Sequence, residues 1–387
     1  MKLQKTVAII LTAAILFCAF AATAYAEPEQ GTQNNEFALD CRSAILMEAE
    51  TGKVLYEMNA DESLPPASVT KVMTLLLIME AIDGGKISFS DTVTASAHAC
   101  SMGGSQIYLK EGEQMSVEDL VKSVVIASAN DAALALAEHV AGTEAAFVEM
   151  MNKRAAELGL TGTHFENTNG LDDTVQNHVS TARDIAIMSR ELIKHERICE
   201  FSSIWMDTIR NGEFGLTNTN RLVRFYKGAT GLKTGSTAKA KFCITATAKR
   251  EGTSLICVIM AAPTRDIRNA AATSLLDWGF ANFAVYKNEG RELEPLRVLG
   301  GVKQSCRISY PEYSCVLPKS DISRVEYSVE MSENIAAPVK VGDKVGRVVY
   351  RLGDKEIGES DIVAAERINK INFFGLLIKI LSKMAIC

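Results

Sequence analysis

Ser68-Val-Thr-Lys71, Ser128-Ala-Asn130 and Lys233-Thr-Gly235 are the three stretches whose joint reading decides the fold. None is informative alone. Ser236-Thr-Ala-Lys239 repeats the S-x-x-K spacing and Ser332-Glu-Asn334 the S-x-N spacing, so chance supplies such matches. Order, separation and local context carry the signal.

Leu64-Pro65-Pro66-Ala67 is a turn-like approach, because a residue before proline is pushed away from helical geometry. Ser68 then opens the apolar run 72–82, long enough for a buried helix. Residues three apart share a helical face, so Ser68 and Lys71 can touch. A serine needs a base to become a nucleophile, and a neutral lysine can serve. Neutrality near pH 7 requires the ammonium to fall from about 10.4 toward 7, a cost of about 4 kcal/mol. Burial supplies part of that and a second cation more; Lys233 is the candidate. The plainer reading makes Ser68 a helix N-cap and Lys71 a solvated side chain.

Ser128-Ala-Asn130 lies where two helical patterns meet, 121–127 and 131–141. A polar break there would expose both side chains; alone, it reads as a helix cap. Gly231-Leu-Lys-Thr-Gly-Ser236 leads into strand 241–249, turn 250–253 and strand 254–261, a hairpin. Glycine at 235 would let another backbone approach an edge strand closely.

Read in order, the triplet resembles the serine penicillin-recognising enzymes. With Pro66-Ala-Ser-Val-Thr-Lys71, Ser128-Ala-Asn-Asp131, Ser180-Thr-Ala-Arg-Asp184 and Gly231-Leu-Lys-Thr-Gly235, the chain is similar to the low-molecular-weight D-alanyl-D-alanine carboxypeptidases from about Phe37 to its C-terminus.

That resemblance implies a β-lactamase/transpeptidase-like α/β catalytic domain, an antiparallel sheet flanked by helices, plus a small C-terminal all-β domain. It implies that Ser68 attacks the penultimate D-alanine carbonyl of a peptidoglycan stem peptide while Lys71 takes its proton. Ser128 would return a proton to the departing D-alanine, and water would hydrolyse the acyl-enzyme. Backbone N–H groups of Ser68 and of the strand after Gly235 would hold the oxyanion, each worth about 10²–10³ in rate. Lys233 and Thr234 would bind the terminal carboxylate and Asn130 the peptide amide. β-Lactam antibiotics would acylate Ser68. Neither a cofactor nor a metal is implied.

The 387 residues leave room for more than one domain, and a net charge of −6 argues against a general nucleic-acid binder. Met1–Ala26 reads as an export signal, with Lys2 and Lys5, an apolar segment over 7–22 and an Ala24-Tyr-Ala26 cleavage site. Export would place the protein at the outer face of the cytoplasmic membrane or in the wall. Residues 27–36 form a polar linker, and 37–285 the catalytic domain. Within it the pattern predicts a hairpin over 43–57 and helices over 144–158, 183–195 and 265–282.

From 286 to 367, short strands with Gly and Asp turns (307–310, 325–329, 339–350, 355–357) read as the β-rich domain. Eight cysteines remain after cleavage, without a C-x-x-C; Cys306 and Cys315 are candidates for bridging a hairpin, and Cys243 and Cys257 for packed thiols. In the tail, 368–387, Asn372, Lys379 and Lys383 share one helical face opposite Phe373, Phe374, Leu377, Ile378 and Leu381, which suits a helix lying on a membrane surface. Docking on the protein is the alternative.

Two rival functions remain. A β-lactamase of the same fold needs a deacylating base, but Phe165-Glu-Asn-Thr-Asn-Gly170 lacks its E-x-x-L-N pattern. A non-catalytic wall-binding relative needs only the cleft. No histidine stands in H-E-x-x-H spacing and no G-x-S-x-G is present, so the five histidines read as surface or satisfied side chains.

Overall fold

The computed structural model describes residues 38–384. The export signal, the linker, Cys18 and Cys387 lie outside the described residues.

Strands β1 (Ser43–Glu48), β2 (Val54–Met58), β3 (Ala229–Thr237), β4 (Lys241–Arg250) and β5 (Thr253–Ala262) form an antiparallel sheet in the order β2-β1-β5-β4-β3. The chain enters at one edge and returns after the helical layer, over 229–262, to finish the sheet. Side chains alternate across it. Ile45, Met47, Ile256, Val258 and Met260 join the core shared with the helices on one face. On the other face, helix α6 (Arg265–Asn282) lies so close that a Cβ at Gly279 would come 2.7 Å from Leu46.

The helical layer holds α1 (Lys71–Asp83), α2 (Val117–Ala127), α3 (Asn130–Ala141), α4 (Glu144–Glu157) and α5 (Ala182–Leu192). In α1, every residue from Lys71 to Met79 is buried. A helix apolar all round belongs at the centre of a domain, and α1 packs against α3, α4 and α5. Ser116, Thr143 and Thr181 cap α2, α4 and α5 through their hydroxyls, each accepting the N–H three residues on. In the Ser180–Asp184 segment, Asp184 also accepts from Gly162 N (3.0 Å) and Thr163 Oγ1 (2.7 Å). Arg183 pairs with Asp61 and Glu57. The segment therefore ties down the approach to Ser68.

Strand β6 (Phe283–Asn288) follows α6 without a break. After it come β7 (Arg291–Leu299), β8 (Ser305–Tyr310), β9 (Tyr313–Pro318), β10 (Val325–Met331), β11 (Asn334–Ala336), β12 (Lys344–Leu352) and β13 (Lys355–Ala364). Six of them form one sheet in the order β10-β12-β13-β8-β7-β11, and β6 pairs with β9. The expected strand over 339–350 begins only at Lys344. Gly342 adopts φ +87° and makes 340–343 a turn closed by Asp343 N donating to Lys340 O.

The candidate Cys306–Cys315 bridge is not formed. Cys306 lies on β8 and Cys315 on β9, which belong to different sheets, and both are free thiols. Lys53 Nζ donates to Val316 O (3.0 Å) and Lys287 pairs with Glu50 (2.7 Å), which joins the β-rich part to the β1–β2 turn. Helix α7 (Phe373–Met384) ends the described chain and exposes Phe373, Phe374, Leu377, Ile378 and Leu381.

Candidate active site

Residues 67–70 form one 3₁₀ turn that runs directly into α1. Ser68 caps nothing, and Lys71 is fully buried, so the plainer reading of this stretch fails. Lys71 Nζ lies 3.0 Å from Ser68 Oγ. Its two other neighbours are both acceptors: Asn130 Oδ1 at 2.5 Å and the carbonyl of Asn169 at 2.9 Å. A neutral amine has two N–H bonds and one lone pair. With both N–H groups committed to those acceptors, the lone pair faces Ser68.

Two forces push Lys71 toward that neutral state, holding its pKa well below the ordinary lysine value. Burial is the larger and the charge of Lys233 the second, while Asp131 opposes them. Lys233 is buried too and falls to about 7 through burial and the nearby Arg268. Its Nζ donates to Ser128 Oγ and to Thr234 O, both at 2.8 Å.

The Ser128–Asp131 segment aims these groups. Ser128 ends α2 in the left-handed region at φ +63°, which breaks the helix and turns the hydroxyl toward Lys233. Asn130 starts α3; its Nδ2 donates to Gly103 O (2.6 Å), which fixes the amide so that Oδ1 meets Lys71. The buried Asp131 accepts from Ile107 N and Leu109 N, both at 3.1 Å, and holds the 103–109 loop over the site.

Strand β3 is a sheet edge, bonded to β4 alone. At Gly235 it passes the nucleophile turn so closely that a Cβ would meet Ser68 N at 2.8 Å and Pro66 O at 2.9 Å. Thr234 Oγ1 donates to Thr219 Oγ1 (2.8 Å). All seven expected site residues (Ser68, Lys71, Ser128, Asn130, Lys233, Thr234 and Gly235) therefore converge. The chance matches do not: Lys239 donates to Asp172 O, and Ser332 and Asn334 lie in the β-rich part.

Several contributors escape the sequence. The Asn169 carbonyl is backbone, and Gly170 is needed because a Cβ there would come 1.9 Å from Ala67 O. His178 is buried and held near pKa 4, chiefly by desolvation. Glu166 N donates to its Nδ1 (3.0 Å), so the proton sits on Nε2, which donates to Thr70 Oγ1 (2.7 Å); that hydroxyl donates to Ala67 O (2.8 Å). This relay pins the turn before the nucleophile. Glu166 itself is exposed, and its carboxylate accepts from Gln176 N and Asn177 N within its own loop.

This arrangement can activate a serine and hold an anion beside it. The profile described as D-alanyl-D-alanine carboxypeptidase matches residues 29–264, more than half of the chain. The chain belongs to the D-alanyl-D-alanine carboxypeptidase family. The profile of the penicillin-binding protein 5 C-terminal domain matches 280–370 of this family member. Among its relatives, D-alanyl-D-alanine carboxypeptidase DacF of Bacillus subtilis is 42% identical over 94% of both chains. DacC of Escherichia coli is 36% identical over 92% of this carboxypeptidase and 90% of that one. The structure of penicillin binding protein 5 from Haemophilus influenzae superposes with a TM-score of 0.76 at 33% identity, covering 86% of this chain and 98% of that one.

Proposed function

We propose that this serine-type D-alanyl-D-alanine carboxypeptidase removes the terminal D-alanine of peptidoglycan stem peptides through an acyl-enzyme on Ser68. The contact that carries the reading is the 3.0 Å approach of Lys71 Nζ to Ser68 Oγ, with both other amine contacts taken by acceptors. Lys71 takes the Ser68 proton as Oγ attacks the penultimate carbonyl carbon. Backbone N–H groups at Ser68 and just after Gly235 hold the oxyanion. The C–N bond breaks, the proton passes through Ser128 to the departing amine, and Lys71 is neutral again. Water then gives Lys71 a proton as it attacks the ester, and that proton returns to Ser68. Lys233 and Thr234 receive the terminal carboxylate and Asn130 the peptide amide.

β-Lactams acylate the same serine in this reading. The Listeria monocytogenes penicillin-binding protein D2, 33% identical over 63% of this chain, is known in ampicillin-bound and cefotaxime-bound forms. Export through residues 1–26, a linker over 27–36, catalysis within 37–285, a β-rich domain over 286–367 and a membrane-surface helix over 368–387 complete the proposal. No helix among the described residues is long and apolar enough to cross a membrane. The exposed apolar face of α7 suits the interface instead.

The test is D-alanine release from diacetyl-Lys-D-Ala-D-Ala, with a fluorescent penicillin as label and Ser68→Ala alongside. Release and labelling both vanish in the variant. Rapid penicillin turnover without release would turn the reading to a β-lactamase, and neither signal from folded protein would sink it.

A further inference from the structure

The chain leaves the β-rich part along the segment Ile368–Ile371, which runs between two turns. On one side Val339 and Ile368 exchange both backbone hydrogen bonds at 2.9 Å. On the other, Val302 N donates to Asn369 O (3.0 Å) and Ile371 N to Gly300 O (2.8 Å). Below them Val298, Cys306, Val339, Ala364 and Ile368 form a small buried cluster. The turns are thus fixed before any partner arrives. Each nevertheless presents a bare valine: Val302 is 54% exposed and Val341 66%. Single exposed apolar residues are ordinary; these two sit on turns bonded to the segment that leads into the apolar helix beginning at Phe373.

Charge points to what covers this rim. Segments 299–303, 339–343 and 366–370 carry Lys303, Lys340, Arg367 and Lys370 against Asp343 and Glu366, a local excess of two positive charges (4 − 2) on a chain of net −6. Lys303 pairs with Glu366, while the Asp343 carboxylate accepts only the backbone N–H of Lys340 within its turn, which leaves Lys340, Arg367 and Lys370 as exposed cations. Apolar tips ringed by cations match the boundary between headgroups and acyl chains of an anionic bilayer.

We propose that this rim is a second membrane contact, with Val302 and Val341 seated in an anionic lipid interface beside the terminal helix. It rests on the reading of α7 as an interfacial helix and adds a rigid footing to it. Two anchoring elements bind where one alone is marginal, because each raises the local concentration of the other.

The full chain is mixed with vesicles of phosphatidylglycerol and phosphatidylcholine whose acyl chains are brominated. Val341→Trp is compared with the unsubstituted protein, whose Trp205 and Trp278 supply the background, and with Ile378→Trp as reporter of the helix. Quenching is expected at 341 and at 378. The Val302→Asp/Val341→Asp pair is expected to weaken vesicle binding about tenfold while penicillin labelling, which reports the fold, is unchanged. Quenching at 378 without quenching at 341 would overturn the rim contact and leave the helix reading standing. Quenching at neither would overturn both. Equal binding to pure phosphatidylcholine would overturn the anionic preference.

Discussion

Lys233 is the charged neighbour that helps hold Lys71 neutral, although both lysines are buried and both are depressed. The pair divides the labour: Lys71 sits against the nucleophile as the base, and Lys233, lowered to about 7, is the cation that presses on it. In the proposed mechanism, competence needs Lys71 neutral and Lys233 cationic. As pH falls through the pKa of Lys71 the base is protonated, and as pH rises through about 7 Lys233, the proposed carboxylate anchor, loses its charge. The profile of kcat/KM is therefore a bell. Lys233→Arg keeps its charge, so its alkaline limb moves upward. Arg268→Gln removes the cation that depresses Lys233 and shifts the limb the same way. A limb unmoved in both variants would exclude Lys233 as its source.

Gly235 and Gly170 are both required by close approach, with different consequences. A Cβ at 235 meets Ser68 N and Pro66 O, displacing the proposed oxyanion donor. Gly235→Ala is expected to slow penicillin acylation by about 10² or more with little change in Tm. Gly170→Ala adds a Cβ against Ala67 O at φ +85° and is expected to cost at least about 2 kcal/mol of stability. Acylation rate and thermal unfolding separate the two.

His178 gives stability a pH dependence of its own. Its folded pKa, about 4, lies below the ordinary value of 6.5. Between those values the unfolded chain takes up a proton that the folded one refuses, so stability falls as pH drops from about 6.5 to 4. The full effect is roughly 3 kcal/mol. His178→Gln is expected to flatten that slope in urea titrations and to lower stability at pH 7 by breaking the relay to Ala67. An unchanged slope would assign the acid sensitivity elsewhere.

The thiols are quiet. Burial raises Cys243 to about 11 and Cys41 to about 12, and pushes Cys257 higher still. Iodoacetamide at pH 8 is expected to spare all three in the folded protein and to modify them in urea, read by mass spectrometry.

The core of the fold was legible because its signals are local. The 43–57 hairpin, the strands after Gly235 and the helix 265–282 follow from apolar periodicity and turn residues, and α6 occupies the expected residues. The candidate site was legible because its side chains fall in three short motifs. What stayed hidden depends on tertiary structure. Strand β6 follows a helix without a break, and no turn residue announces it. The Asn169 carbonyl leaves no mark in a side-chain pattern. His178 looks like any other histidine until burial withholds its proton. Cys306 and Cys315 are near in sequence, yet the strands that carry them join different sheets.

The acceptor that orients Lys71 comes from Asn169, 98 residues downstream, and the charge that helps neutralise it from Lys233, beyond the whole helical layer. Before those segments dock, Ser68 stands beside a solvated ammonium and is inert. Chemical reactivity thus appears only when the tertiary structure closes, so a partly folded chain cannot trap itself as a dead-end ester. Penicillin labelling then reports completed folding as well as activity, and during refolding its onset should trail the recovery of secondary structure.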